Sequence, residues 1–102
     1  MNADMATRLN IADRFHDDIA RIVAHLEEHQ AQDISARVEE ILDALLVLKR
    51  HPLIGRPAEG VLRELVIGRD SRGYVVLYRY NPVKDEVDVA ALRAQREAGF
   101  VD

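Results

Sequence analysis

Residues 63–100, RELVIGRDSRGYVVLYRYNPVKDEVDVAALRAQREAGF, narrow what this chain can fold into. Three apolar runs, at 61–67, 74–80 and 87–92, are rich in β-branched and aromatic side chains that suit a pleated surface. Residues 68–73, bounded by Gly68 and Gly73, break the first run from the second. Asn81-Pro82 and Lys84-Asp85 break the second from the third. Links this short join antiparallel neighbours, because parallel strands need a long crossover. The expected unit is a three-stranded antiparallel meander. Such a sheet needs a second layer to bury one face.

The upstream half supplies that layer. Residues 7–12 read as a short first strand, with Leu9 and Ile11 alternating against Arg8 and Asn10. Asp13 then reads as a helix N-cap. Phe15, Ile19, Ile22, Val23 and Leu26 form one apolar stripe, and Asp17, Asp18, Arg21, Glu27 and Glu28 fall on the opposite face. This helix should end near His29. A second helix starts at Asp33 or Ser35, carries Ile34, Val38, Ile41, Leu42, Leu45 and Leu48, and stops before Pro52. The connector at 30–33 is short enough for an antiparallel helical hairpin. Leu42, Leu45, Ile22 and Leu26 are expected between hairpin and sheet. The expected class is therefore α+β: a short N-terminal strand, a helical hairpin, then the meander, as a single domain over residues 1–102.

Composition limits the function classes. The 102 residues are 48% hydrophobic and 31% charged, as in soluble globular proteins. No run of 18 apolar residues and no basic-then-apolar leader is present, so a membrane partner and secretion are not expected. Zero cysteines remove disulfides and thiolate metal sites and fit a cytoplasmic location. The net charge of −4 conceals an asymmetry: residues 49–96 hold 10 bases against 6 acids. A basic sheet on an acidic protein suits a polyanionic or acidic protein partner. The same arginines also fit a solvated sheet edge that resists aggregation.

Motifs for catalysis are sparse. His25 and His29 have the i, i+4 spacing of a helical metal site, but HLEEH lacks the glutamate of the metalloprotease pattern and no third ligand is evident. A solvated helix face explains the pair. Neither G-x-x-x-x-G-K-[ST] nor G-x-G-x-x-G occurs. Ser35 and Ser71, near a helix start and in a turn, form no Ser-His-Asp arrangement. Period-2 geometry puts Tyr74, Val76, Tyr78 and Tyr80 on one sheet face, and Val75, Leu77 and Arg79 on the other. The tyrosine stripe reads as core, the alternative being a base-stacking platform.

The elements LKRHPLIGRP (48–57), VLREL (61–65), GYVVLYRY (73–80) and VDVAALRAQRE (87–97) together resemble the RelE/ParE superfamily of toxins from bacterial type II toxin–antitoxin systems, also called plasmid stabilisation proteins. The resemblance spans about residues 7–100. It implies a strand, a helical hairpin and three further antiparallel strands. It also implies a cognate antitoxin that folds over the toxin, and no cofactor or metal. RelE-like members cut messenger RNA in the ribosomal A site, whereas ParE-like members are associated with inhibition of DNA gyrase. In the RelE-like subgroup a basic residue follows the tyrosine that matches Tyr74. This chain has Val75 there, and Phe100 in the C-terminal region has no hydroxyl to transfer a proton. Arg63, Arg93 and Arg96 are the possible phosphate binders of a ribonuclease reading, with Glu64 or Glu97 as its only acid–base candidates. The resemblance leans toward a ParE-like toxin that binds its target, with Arg63, Arg79, Arg93, Arg96 and Phe100 expected at the antitoxin or target surface; the alternatives are a RelE-like ribosome-dependent endonuclease and a non-toxic binding module of the same fold.

Overall fold

Two helical stripes and five extended segments meet in one sheet-and-hairpin arrangement. The computed structural model describes residues 7–68 and 73–96. The order is β1 (Arg8–Ile11), α1 (Asp13–Glu28), α2 (Ile34–Arg50), β2 (Arg56–Pro57), β3 (Arg63–Ile67), β4 (Tyr74–Asn81) and β5 (Glu86–Ala94). The expected α+β architecture is therefore present. The sheet runs β1-β5-β4-β3-β2. Strands β3, β4 and β5 form the antiparallel meander.

Two strands extend that meander. β1 pairs with β5 in parallel, Leu9 opposite Val87 and Ile11 opposite Val89, and the helical hairpin is part of the long connection that parallel pairing needs. β2 lies between the hairpin and the meander and pairs with β3, Arg56 opposite Glu64. The first run also begins later than its sequence suggests, because Val61 and Leu62 sit in the turn before Arg63.

The core lies between hairpin and sheet. Phe15 and Ile22 of α1 and Ile41, Ala44, Leu45 and Leu48 of α2 pack on Ile67, Tyr74, Val76, Tyr78, Val87, Val89 and Leu92. Tyr74, Val76 and Tyr78 share the covered face, with Tyr80 at its margin, so the stripe is core. Between Leu77 and Tyr78 the register with β5 shifts, leaving Ala90 without a pairing partner on β4. A bulge of this kind reverses side-chain parity. Val87 and Val89 face the hairpin before it, and Leu92 and Ala94 after it.

Four sequence expectations need correction. Leu42 is 47% exposed rather than buried, because the stripe that reaches the sheet runs through Ile41, Ala44, Leu45 and Leu48. Leu26 is only partly buried at the margin of the core. Asp13 is the first helical residue and Ala12 holds the cap position, its own N–H donating to Val89 O at 2.9 Å. Asp18, assigned to the polar face, is 4% exposed.

Candidate functional site

The arginines expected to form a binding surface are distributed by strand parity. Arg63 shares parity with Leu65 and Ile67, so it lies on the hairpin side, opposite Tyr78. Its Nη1 donates to Gly55 O at 2.7 Å and to Leu53 O at 3.3 Å. Gly55 N–H in turn donates to Tyr78 Oη at 2.8 Å. Burial pushes the Tyr78 phenol up, against the opposing pull of the Gly55 hydrogen bond and the Arg63 charge. Glycine is required at 55 by close approach: a Cβ there would sit 2.6 Å from Tyr78 Oη and 2.8 Å from Glu64 O. The P-x-x-G-R-P element and the Leu62-Arg63 pair are thus one latch that ties the loop to the sheet.

The opposite face of the sheet carries Arg8, Arg56, Arg79 and Arg93. Three of these meet acids across the strands: Arg8 with Glu86 at 3.1 Å, Arg56 with Glu64 at 3.2 Å, and Arg79 with Asp88 at 3.1 Å. Asn10 also donates to Asp88 at 3.0 Å. These two donors hold the Asp88 carboxyl below its ordinary range, the Asn10 hydrogen bond contributing most. Arg93 stands opposite Val75 and donates to Ala94 O at 3.3 Å and Gln95 O at 3.1 Å. Val75 and Ala91 are fully buried although they lie outside the core cluster under the hairpin. Arg79 and Arg93 share this face, but Val75 and Arg79 are four residues apart on β4, roughly 13 Å along the strand. Arg63 faces the other way and Arg96 is exposed just after β5. Phe100 and Glu97, like Arg69 and Arg72, lie outside the described residues. The structure therefore does not gather Arg63, Arg79, Arg93 and Arg96 into one cluster.

Sequence reasoning missed a second basic region. A cleft of about 900 Å³ opens between the C-terminal half of α1, the start of α2 and the adjoining ends of β4 and β5. Arg21 and His25 line it from α1, His29 from the C-cap of that helix, Arg37 from α2 and Arg96 from beyond β5. The i, i+4, i+8 spacing of Arg21, His25 and His29 was visible in the sequence. Arg37 and Arg96 join them only through the tertiary fold. Among the described residues no group of three or more His, Cys, Asp or Glu side chains could hold a metal.

The mixed sheet with its short N-terminal strand and helical hairpin matches the α+β fold of the RelE/ParE toxins. The family model for the ParE toxin of the type II toxin–antitoxin system parDE matches residues 9–99, and the chain belongs to that family. Among solved structures, one of a chromosomal ParDE system from P. aeruginosa is similar with a TM-score of 0.69 and 17% identity, over 86% of this chain and 95% of that one. A RelBE toxin–antitoxin complex from Mycobacterium tuberculosis gives 0.56 and 19%, over 89% of this chain and 100% of that one. The archaeal RelE–RelB complex from Pyrococcus horikoshii OT3 gives 0.57 and 16%, over 92% and 100%. No curated protein matches the sequence significantly.

Proposed function

We propose that the chain is a toxin held by a cognate antitoxin and acting by binding DNA gyrase rather than by cutting messenger RNA. Membership of the ParE family supports the first part, as do the toxin–antitoxin complexes among its structural neighbours. The observation that carries the second is how the arginines are engaged. Metal-free RNA cleavage needs a base for the 2′-hydroxyl, cations at the phosphate and an acid for the leaving oxygen. Arg63 grips two loop carbonyls on the hairpin side, and Arg79 is paired with Asp88. Opposite Arg93 stands buried Val75, at the position where the ribonuclease relatives keep a cation. A binding toxin needs only a surface, and the sheet face that carries exposed Arg79 offers one without any demand for proton transfer.

Two parallel assays test this reading. The purified chain should inhibit gyrase supercoiling in proportion to its amount and leave messages on programmed ribosomes uncut. Cleavage at A-site codons that disappears in Arg93→Ala, with supercoiling untouched, would replace it with the ribonuclease reading.

A further inference from the structure

Helix α2 has two apolar faces, and the sheet uses one of them. Ile41, Ala44, Leu45 and Leu48 are buried against it. At about 100° per residue, Glu39, Leu42, Asp43, Leu46, Lys49 and Arg50 fall within about 60° of one line on the opposite side. All six are exposed, Leu46 by 56%. Val47 flanks this line, and Leu53 and Ile54 follow the end of the helix, all three exposed. Five of the nine exposed large apolar side chains among the described residues thus fall within residues 42–54, and none falls on α1. The second helix of the hairpin therefore differs from the first, whose solvent side carries Asp17, Glu27 and Glu28.

The charges on this face are ordered. Glu39 and Asp43 precede Leu46, and Lys49 and Arg50 follow it. Acids early and bases late suit the dipole of any helix. The dipole does not account for the exposed leucines between them. A symmetric pair of helices accounts for both. Asp43 and Lys49 are equally distant in sequence from Leu46, so a twofold axis through Leu46 sets Asp43 of one copy across from Lys49 of the other. An isologous contact has to be self-complementary in this way. A parallel pair would set acid on acid and base on base. The two acids and two bases cancel, so the net charge of −4 carried by the whole chain is not concentrated here.

We propose that this face of α2 pairs antiparallel with the same face of a second copy of the chain, with Leu46 on the twofold axis. Leu42 and Leu46 of both copies form the apolar centre, and the aliphatic stems of Lys49 and Arg50 extend it while their charged ends stay wet. The sheet face that carries Arg79 is turned away from the hairpin and stays free in each copy. A contact made by one helix per copy is small, and interfaces below about 1,200 Å² are weak and transient. The chain should therefore be a monomer at about 1 µM and mainly a dimer at about 300 µM.

Sedimentation velocity of the purified chain across that range tests the pairing. Leu46→Asp should stay monomeric throughout. The side chain points away from the core, and circular dichroism checks that the variant is folded. Asp43→Lys and Lys49→Glu should each weaken dimerisation about tenfold, because each turns two symmetry-related exposed attractions into repulsions. Asp43→Lys/Lys49→Glu puts opposite charges back across the axis and should recover the dimer. A chain that remains monomeric at the highest concentration overturns the proposal. So does a dimer that survives Leu46→Asp, or a double variant that pairs no better than the single ones. A monomeric chain whose antitoxin complex is lost in Leu46→Asp would give this face to that partner instead. Mass is read separately from supercoiling and message cleavage, so the result stands whichever target the toxin has.

Discussion

Asp18 shows how one side chain can stand in for missing sheet. β1 covers β5 only from Glu86 to Val89, so the backbone of Leu92 projects past the end of its neighbour. Asp18 Oδ2 accepts from Leu92 N–H at 2.9 Å, and Arg21 Nη2 donates to Leu92 O at 3.5 Å. One turn of α1 thus satisfies both polar groups that a longer β1 would have paired. Asp18→Ala leaves a buried N–H without its acceptor, and such orphans cost about 1–3 kcal/mol. Asp18→Asn keeps an acceptor oxygen and should lose less. Urea unfolding separates the two, and equal losses would show that the charge rather than the acceptor matters. Periodicity could not have found this residue. Asp18 lies on the polar side of the α1 stripe, and only the abrupt end of β1 makes that side an interior one.

At the scale of elements, the sequence was most legible where turn chemistry is strong. The breaks at 68–73 and around Asn81-Pro82 placed β3, β4 and β5 correctly, and Pro52 stopped α2. Legibility failed where the rule was one of local period. The bulge at Ala90 shifts parity midway through β5, so no single alternation describes VDVAALRA. α2 carries more leucine and valine than one stripe needs, and the fold buries only part of it. Leu45 is 3% exposed and Leu42 is 47% exposed, although both looked like core. Leu45→Ala should cost about 2–5 kcal/mol, as other large-to-small core changes do. Leu42→Ala should stay within about 0.5 kcal/mol, as at other surface positions. Thermal unfolding of the pair checks the helix register: similar losses would place both residues under the sheet. The candidate site was legible in its residue types but not in its grouping. The latch residues Gly55, Arg63 and Tyr78 are remote in sequence and meet only because β3 and β4 pair.

Across the whole molecule, the edge where β1 joins the sheet is held by carboxylates, which makes its stability depend on pH. Asp85 Oδ1 accepts from Tyr80 Oη at 2.7 Å and from Thr7 Oγ1 at 2.8 Å, and these bonds hold its carboxyl below the ordinary range. Asp88 is lowered by Asn10 and Arg79. Each acid ties β1 or the segment preceding it to β5 or its turn. A carboxyl whose folded pKa is depressed contributes stability above its unfolded value, near 3.8, and loses it as pH falls through the folded value. The tyrosines behave in the opposite sense. The Asp85 hydrogen bond raises Tyr80 and burial raises Tyr78, so both favour the fold below their unfolded value of 10.0 and lose that contribution at higher pH. The melting temperature should therefore be flat between about pH 5 and 9 and fall on both sides. Asp85→Asn/Asp88→Asn should lower the plateau and make the fall below about pH 4 shallower, because it removes two of the groups that titrate there. Melting curves from pH 2.5 to 11 on both proteins provide the comparison. An acid limb of the same slope in the variant would assign the pH dependence to carboxylates away from this edge.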